Sequence, residues 1–416
     1  MAENRFLEYK ETISNTFLKT VSAFANYGGG EIVFGINDEG KIVGVQQQKK
    51  KCLDIENRIN DSITPRPDYE LTAARNHTIV LKVHAGSRKP YLYKAKAYKR
   101  NDTSTVEVDH TEMTRLILEG SGLNYEELPA GSQELTFAKL EKELKAEAGI
   151  EKLDLNILKT LNLFSDKNGY NTAAEILADE NMLPGIDIGK FGDSISIIKK
   201  RKVYEHTSIL NLYDAAYEMF QDYYEYDVIE GTERRTMSLI PGAAYREAVA
   251  NALIHRVWDV KDHIRVFMFD DRVEIFSPGG LPRGMTKDAY LSGNYSTLRN
   301  PIIGNVLFRL KIVEIFGTGI RRIKEAYEES IAKPEFEVYE NSIKVMLPVV
   351  RARTSLQGGA VQVYDAVCES DGASISQITE KVPFARTKVR KILIELEAEN
   401  LIRVTGNGRG TKYHKA

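Results

Sequence analysis

The sequence predicts an α+β fold divided among several domains. Three observations lead there. The chain has 416 residues, more than one hydrophobic core ordinarily serves. Stretches whose apolar residues alternate with period two are interspersed with stretches of helical spacing. Two polar segments, residues 124–133 and 351–359, interrupt both patterns in the way linkers do. The expected domains are therefore 1–125, 126–350 and 351–416.

In the first domain Phe17, Leu18, Val21, Phe24 and Ala25 follow helical spacing, and Gly28-Gly29-Gly30 stops that helix. Residues 31–37 read as a buried strand leading to a turn at Asp38-Glu39-Gly40. Cys52, Ile55, Ile59 and Ile63 mark a second helix that must end before Pro65. Ile79, Leu81 and Val83 alternate as a strand. Residues 91–100 read as extended and 111–118 as helix. In the middle domain 135–180 is helical in pattern, 186–209 strand-like and 243–257 a strong helix. Residues 264–269 and 272–276 form a hairpin over Asp270-Asp271, and 343–350 a last strand. The final domain reads as helices at 361–368, 374–381 and 386–400. Strands at 401–404 and 411–414 then pair across a glycine-rich turn. That order predicts a winged helix-turn-helix.

Composition bounds the function. Hydrophobic residues make up 42% and charged residues 28% of the chain, values of a folded globular protein. The net charge of -2 says nothing about partners, so the distribution of charge must. Cys52 and Cys368 are the only cysteines, which excludes a disulfide framework and a cysteine-rich zinc cluster and fits a reducing cytosol. No apolar run approaches the length of a bilayer span, and residues 1–10 are too polar for a signal peptide, so the expectation is a cytoplasmic protein with no membrane partner.

Two stretches are locally basic. Residues 381–416 hold nine Lys or Arg against three acids. A helix fits the major groove, and Arg386, Thr387, Lys388, Arg390 and Lys391 lie near the start of the third one, with Arg409 and Lys412 on the hairpin. The expected partner is double-stranded DNA. Residues 88–100 hold Arg88, Lys89, Lys94, Lys96, Lys99 and Arg100, no acid, and the interleaved Tyr91, Tyr93 and Tyr98. Cations take phosphates while tyrosines stack on unpaired bases, so RNA or single-stranded nucleic acid is a second expected partner. An ordinary strand with a charged face stays open as the alternative.

Glu247 and Asn251 are four residues apart and project from one helical face. A carboxylate there can orient a water, and an amide oxygen can complete the shell of a Mg²⁺ that bridges phosphates. The combination resembles the ATP-binding fold shared by gyrase, the heat-shock chaperone, histidine kinases and a mismatch-repair protein, the GHKL-type α/β sandwich. More closely, residues 245–256, 275–282, Arg299-Asn300-Pro301 and Gly317-Thr318-Gly319 are similar to its divergent form in bacterial transcriptional regulators. The resemblance implies Glu247 as the water-activating base of a weak ATPase, Asn251 as Mg²⁺ ligand, and Gly317, Thr318, Gly319 and Ile320 as the phosphate loop. His255, Arg256, Gly279, Gly280, Arg299 and Asn300 complete the implied ATP site. The adenine-reading Asp of the wider superfamily has no counterpart; Ser277 stands near its place.

Leu7-Glu8-Tyr9-Lys10, residues 21–30 and Phe34-Gly35-Ile36-Asn37-Asp38 resemble the Schlafen-type AlbA-like α/β domain. That family implies nucleic-acid binding or, alternatively, metal-dependent RNA cleavage by Glu3, Glu8 and Asp38; Asn37 departs from the two-aspartate form of the turn. The leading expectation is a DNA-binding transcriptional regulator that binds ATP or another nucleotide. A nucleotide-gated nuclease and an oligomerising scaffold with an inert nucleotide fold remain as alternatives, and paired half-sites leave a homodimer open.

Overall fold

A computed structural model describes residues 3–37, 39–192, 194–230, 233–282, 285–293, 297–314, 317–350, 359–369, 372–398 and 401–415. Asp38, Phe316, the side chain of Arg409 and most of the expected second linker (351–358) lie outside the described residues. The chain divides into two compact units, Met1–Leu128 and Pro129–Ala416.

The first unit runs β1 (Leu7–Lys10), α1 (Phe17–Asn26), β2 (Gly30–Phe34), α2 (Gln48–Ser62), β3 (Ile63–Thr64), β4 (Tyr69–Ala73), β5 (Ile79–Val83), β6 (Leu92–Tyr93), β7 (Tyr98–Asn101), β8 (Ser104–Glu107) and α3 (His110–Ser121). Its main sheet has the order β1-β2-β5-β4, with β1 parallel to β2 and the rest antiparallel. Phe17, Leu18, Val21 and Phe24 of α1 pack with Ile32, Phe34, Ile55, Ile59, Ile79 and Leu81 into one core, as the helical and alternating spacings require. Gly29 ends α1 at φ 74, and a Cβ there would lie 2.9 Å from the Val83 carbonyl, so glycine is needed for both reasons.

Residues 91–100 do not form one strand. Lys94 and Ala95 take left-handed backbone (φ 51 and 59), so β6 turns back and β7 pairs with β8 instead. The polar strands β1 and β4 carry no apolar alternation strong enough to announce them.

The second unit begins with α4 (Ala138–Ala148), α5 (Leu155–Thr160), the hairpin β9 (Phe164–Ser165) and β10 (Gly169–Tyr170), and α6 (Thr172–Leu177). The region expected to be helical throughout thus contains a hairpin. Then follow β11 (Ile186–Phe191), β12 (Ile198–Tyr204), α7 (Ile209–Tyr224), the ribbon β13 (Glu225–Glu230) and β14 (Glu233–Ser238), α8 (Gly242–His255), β15 (Ile264–Met268), β16 (Arg272–Pro278), α9 (Lys287–Ser292), α10 (Pro301–Arg309), α11 (Gly319–Glu325), β17 (Glu335–Val338) and β18 (Ser342–Pro348). A six-stranded sheet has the order β12-β11-β15-β16-β18-β17. Only β11 and β15 run parallel.

Helix α8 is apolar nearly all round: Ala244, Tyr245, Ala248, Val249, Ala250, Ala252, Leu253 and Ile254 are buried. It packs against β16, α7 and α11, and Tyr245 stacks on Phe220 of α7 with centroids 4.2 Å apart. A helix so enclosed has few places for polar groups, which makes each one informative.

The unit ends with α12 (Ala360–Cys368), α13 (Ile375–Lys381), α14 (Arg386–Ala398) and the antiparallel pair β19 (Ile402–Thr405) and β20 (Lys412–Lys415). Val363, Val367, Ile378, Val389, Ile392, Leu393 and Leu396 form its core. Ser374 and Gln377 close a capping box on α13, which fixes where that helix starts.

Candidate nucleotide site and nucleic-acid surfaces

Glu247, Asn251 and His255 succeed one another at four-residue intervals, the polar stripe of α8, and all three line one cavity. Its other walls are the apolar Ile254, Ile275, Leu298, Ile320, Ile343 and Val345, with Ser277, Gly280, Glu314, Gly317 and Gly319 also lining it. A deep apolar wall with a few converging polar groups is the usual build of a small-ligand site. The Asn251 amide donates to Glu247 Oε1 at 3.1 Å, leaving hard oxygen donors of the kind Mg²⁺ takes. A Cβ on Gly319 would lie 2.6 Å from both Glu247 Oε1 and Asn251 Nδ2. The backbone of α11 therefore approaches the pair so closely that a Cβ there would make the two side-chain ends shift.

The electrostatics follow from enclosure. Burial raises the Glu247 carboxyl above its ordinary range; Arg322 and the Asn251 amide pull it down, and Glu314 adds to the rise. Burial, with Arg299 adding to it, lowers the His255 imidazole to about 4, so it is neutral at physiological pH. Ser277 is buried, and its hydroxyl donates to the Ala252 carbonyl at 2.9 Å. That spends its one proton and leaves the hydroxyl of this cavity-lining residue as an acceptor only.

Other residues expected at this site serve the frame around it. Arg256 is fully buried and donates to the carbonyls of Pro184 (3.2 Å), Gly185 (3.5 Å), Val260 (3.2 Å) and Asp262 (2.7 Å), with its guanidinium 4.2 Å from the Trp258 ring centroid. It ties the end of α8 to neighbouring loops and cannot reach a ligand. Asn300 is buried and donates to the carbonyls of Ile254 (2.6 Å) and Arg256 (3.0 Å), capping α8. Arg299 holds the carbonyls of His255 (3.0 Å) and Gly280 (2.7 Å). At Gly279, φ is 104 and a Cβ would meet Val257 at 2.2 Å. Thr318 is the N-cap of α11 without a side-chain cap bond. The sequence reading missed Glu314 and Arg322; the spacing of Arg322 three residues after Gly319 was the available signal.

The basic faces separate clearly. On α14 Arg386, Thr387, Lys388, Arg390 and Lys391 are exposed, as is Lys412 on β20. Lys388 sits 4.2 Å from the Phe384 ring centroid. In the first unit Tyr91, Tyr93 and Tyr98 are core residues, so they do not stack on bases; their alternation serves burial. Arg100 is buried, 3.5 Å from Glu8, and donates to Thr105 and to the Asn4 carbonyl. Lys89 pairs with Glu119, Lys96 with Glu107 and Lys99 with Glu112, whereas Arg88 and Lys94 are exposed. Arg100 and the enclosed Lys89 are therefore withdrawn from any phosphate.

Glu3 accepts the Tyr9 N–H at 2.7 Å, and the buried Glu8 pairs with Lys10 at 2.7 Å. Among the described residues no three His, Cys, Asp or Glu side chains gather as a metal cluster, and no helix is long and apolar enough to cross a membrane.

Two family models match this chain. Residues 3–109 match the Schlafen, AlbA_2 model. Residues 261–347 match the model described as the C-terminal part of a putative ATP-dependent DNA helicase recG. The chain thus carries a Schlafen AlbA_2 domain and a recG-like, ATPase-type domain. The second match begins after α8, so Glu247 and Asn251 lie outside it. No curated protein matches. Among solved structures, the DIP2311 protein from Corynebacterium diphtheriae is similar in fold, with TM-score 0.51 and 19% identity over 99% of this chain and 92% of that one.

Proposed function

We propose that the protein is a DNA-binding transcriptional regulator whose middle domain binds ATP or another nucleotide with Mg²⁺. The three helices and hairpin at residues 360–415 are read as a winged helix-turn-helix, with α14 as its recognition helix. The observation that carries the reading is the exposed group Arg386, Thr387, Lys388, Arg390 and Lys391 in the first half of α14. These are four cations and a hydroxyl, of the residue types that meet phosphates and guanine edges; among the described residues only Lys391 of the group has an acidic neighbour on the helix, Glu395 at 3.9 Å. The cavity along α8, read as a GHKL-type site, supports the nucleotide part. There Asn251 would hold Mg²⁺ and Glu247 would orient a water. Nucleotide would act by favouring one arrangement of the domains over another.

The test is duplex binding by the full chain. Replacing Arg386 and Arg390 together by Ala should weaken binding by about 10- to 100-fold, while Lys142→Ala, an exposed lysine on α4, should leave it unchanged. Equal affinity of the double variant and the wild type would remove the regulator reading.

A further inference from the structure

Arg322 lies on α11 three residues after Gly319, which places it on the helical face that meets Glu247 and Asn251. Its guanidinium is half-exposed and rests 3.6 Å from the carboxylate of Glu314, itself half-exposed. That separation is loose for an arginine–carboxylate pair, whose bidentate bonds are shorter. Glu314 lines the cavity. A cavity bordered by Glu247 and Glu314 would repel an anionic ligand unless cations answered it, and Arg322 is a cation that pairs with Glu314 and acts on the Glu247 carboxyl. Arg256 and Arg299 are committed to backbone carbonyls, as shown above.

We propose that Arg322 is the phosphate-binding residue of this cavity, held by Glu314 until a phosphorylated ligand takes its guanidinium. The inference rests on the nucleotide reading of the cavity and adds to it a residue, a ligand class and a displaced partner. A planar guanidinium fits a multidentate oxyanion, and on the nucleotide reading that oxyanion is the ligand's terminal phosphate group. The cation that leaves Glu314 for the ligand also screens Glu247, whose enclosed carboxyl already responds to Arg322. Glu314 acts against binding: it competes for Arg322 and repels the incoming phosphate.

Calorimetric titration of the full chain with the Mg²⁺ complex of the β,γ-imido analogue of ATP tests this. Arg322→Ala should weaken binding about tenfold and flatten its dependence on salt, and Arg322→Lys should recover part of the loss. Glu314→Gln should tighten binding by about threefold. All variants should keep the wild-type melting midpoint without ligand, since both side chains are half-exposed. Unchanged affinity in Arg322→Ala, or a loss with the salt dependence intact, overturns the assignment, as does weaker binding in Glu314→Gln. If the wild type binds no analogue at all, the nucleotide reading itself fails and this assignment falls with it.

Discussion

His255 shows how much one side chain reports about its surroundings. Its folded pKa of about 4 lies below the unfolded value of about 6.5, so between those values the unfolded chain binds the extra proton. Stability therefore falls as pH drops from about 6.5 to about 4 and is unaffected by this group above that window. A His255→Gln variant should lose that part of the pH dependence; denaturant melts at pH 7 and pH 5 with parallel changes in both proteins would contradict the assignment. Arg256 gives a stability prediction. Its four carbonyl partners would be left unsatisfied in Arg256→Met, which should lose about 3 kcal/mol, read as a lower denaturation midpoint. At Gly319 the obstacle to a methyl group is the ends of two side chains, which can move. Gly319→Ala should accordingly fold normally while separating Asn251 from Glu247, and any ligand gained through that pair should bind less tightly.

At the scale of elements, α8 joins the sequence pattern to the site. Its buried apolar residues cover most of its surface, and apart from the exposed Arg246 its charged and amide side chains form the stripe Glu247, Asn251 and His255. The Glu247 and Asn251 part of that stripe was legible from spacing alone, His255 only through the resemblance; α1, β5, the β15–β16 hairpin and the succession α12, α13, α14, β19, β20 were legible because period and capping residues agreed there. Other elements were not legible. Strands β1 and β4 are short and polar, and β13 and β14 pair only with each other, so burial imprints no alternation on them. Tyr91, Tyr93 and Tyr98 misled for the opposite reason: alternating aromatics look alike whether they face a core or a base, and here they face the core. Arg256 and Asn300 misled because a polar residue beside a cavity can serve the cavity or the frame, and only the carbonyl cage distinguishes these. If α8 carries the ligand groups, MgATP should raise the melting midpoint of the wild type and not that of Asn251→Ala. Equal shifts in both would place the ligand elsewhere.

For the whole molecule, the account joins a nucleic-acid surface on α14 to a ligand cavity on α8. The two reside in the same compact unit, Pro129–Ala416, and Ile331, just beyond α11, packs into the core that carries α14. A ligand that orders α11 can thus bias the position of the last three helices, by however much its affinity differs between their arrangements. The central claim remains the phosphate-facing surface of α14. It is tested most directly by the slope of log affinity for duplex DNA against log salt concentration, measured for the full chain. The account predicts a steep negative slope that becomes shallower by about two in the Arg386→Ala/Arg390→Ala variant, one phosphate contact for each arginine. A slope near zero, or one that the two substitutions leave unchanged, would contradict it.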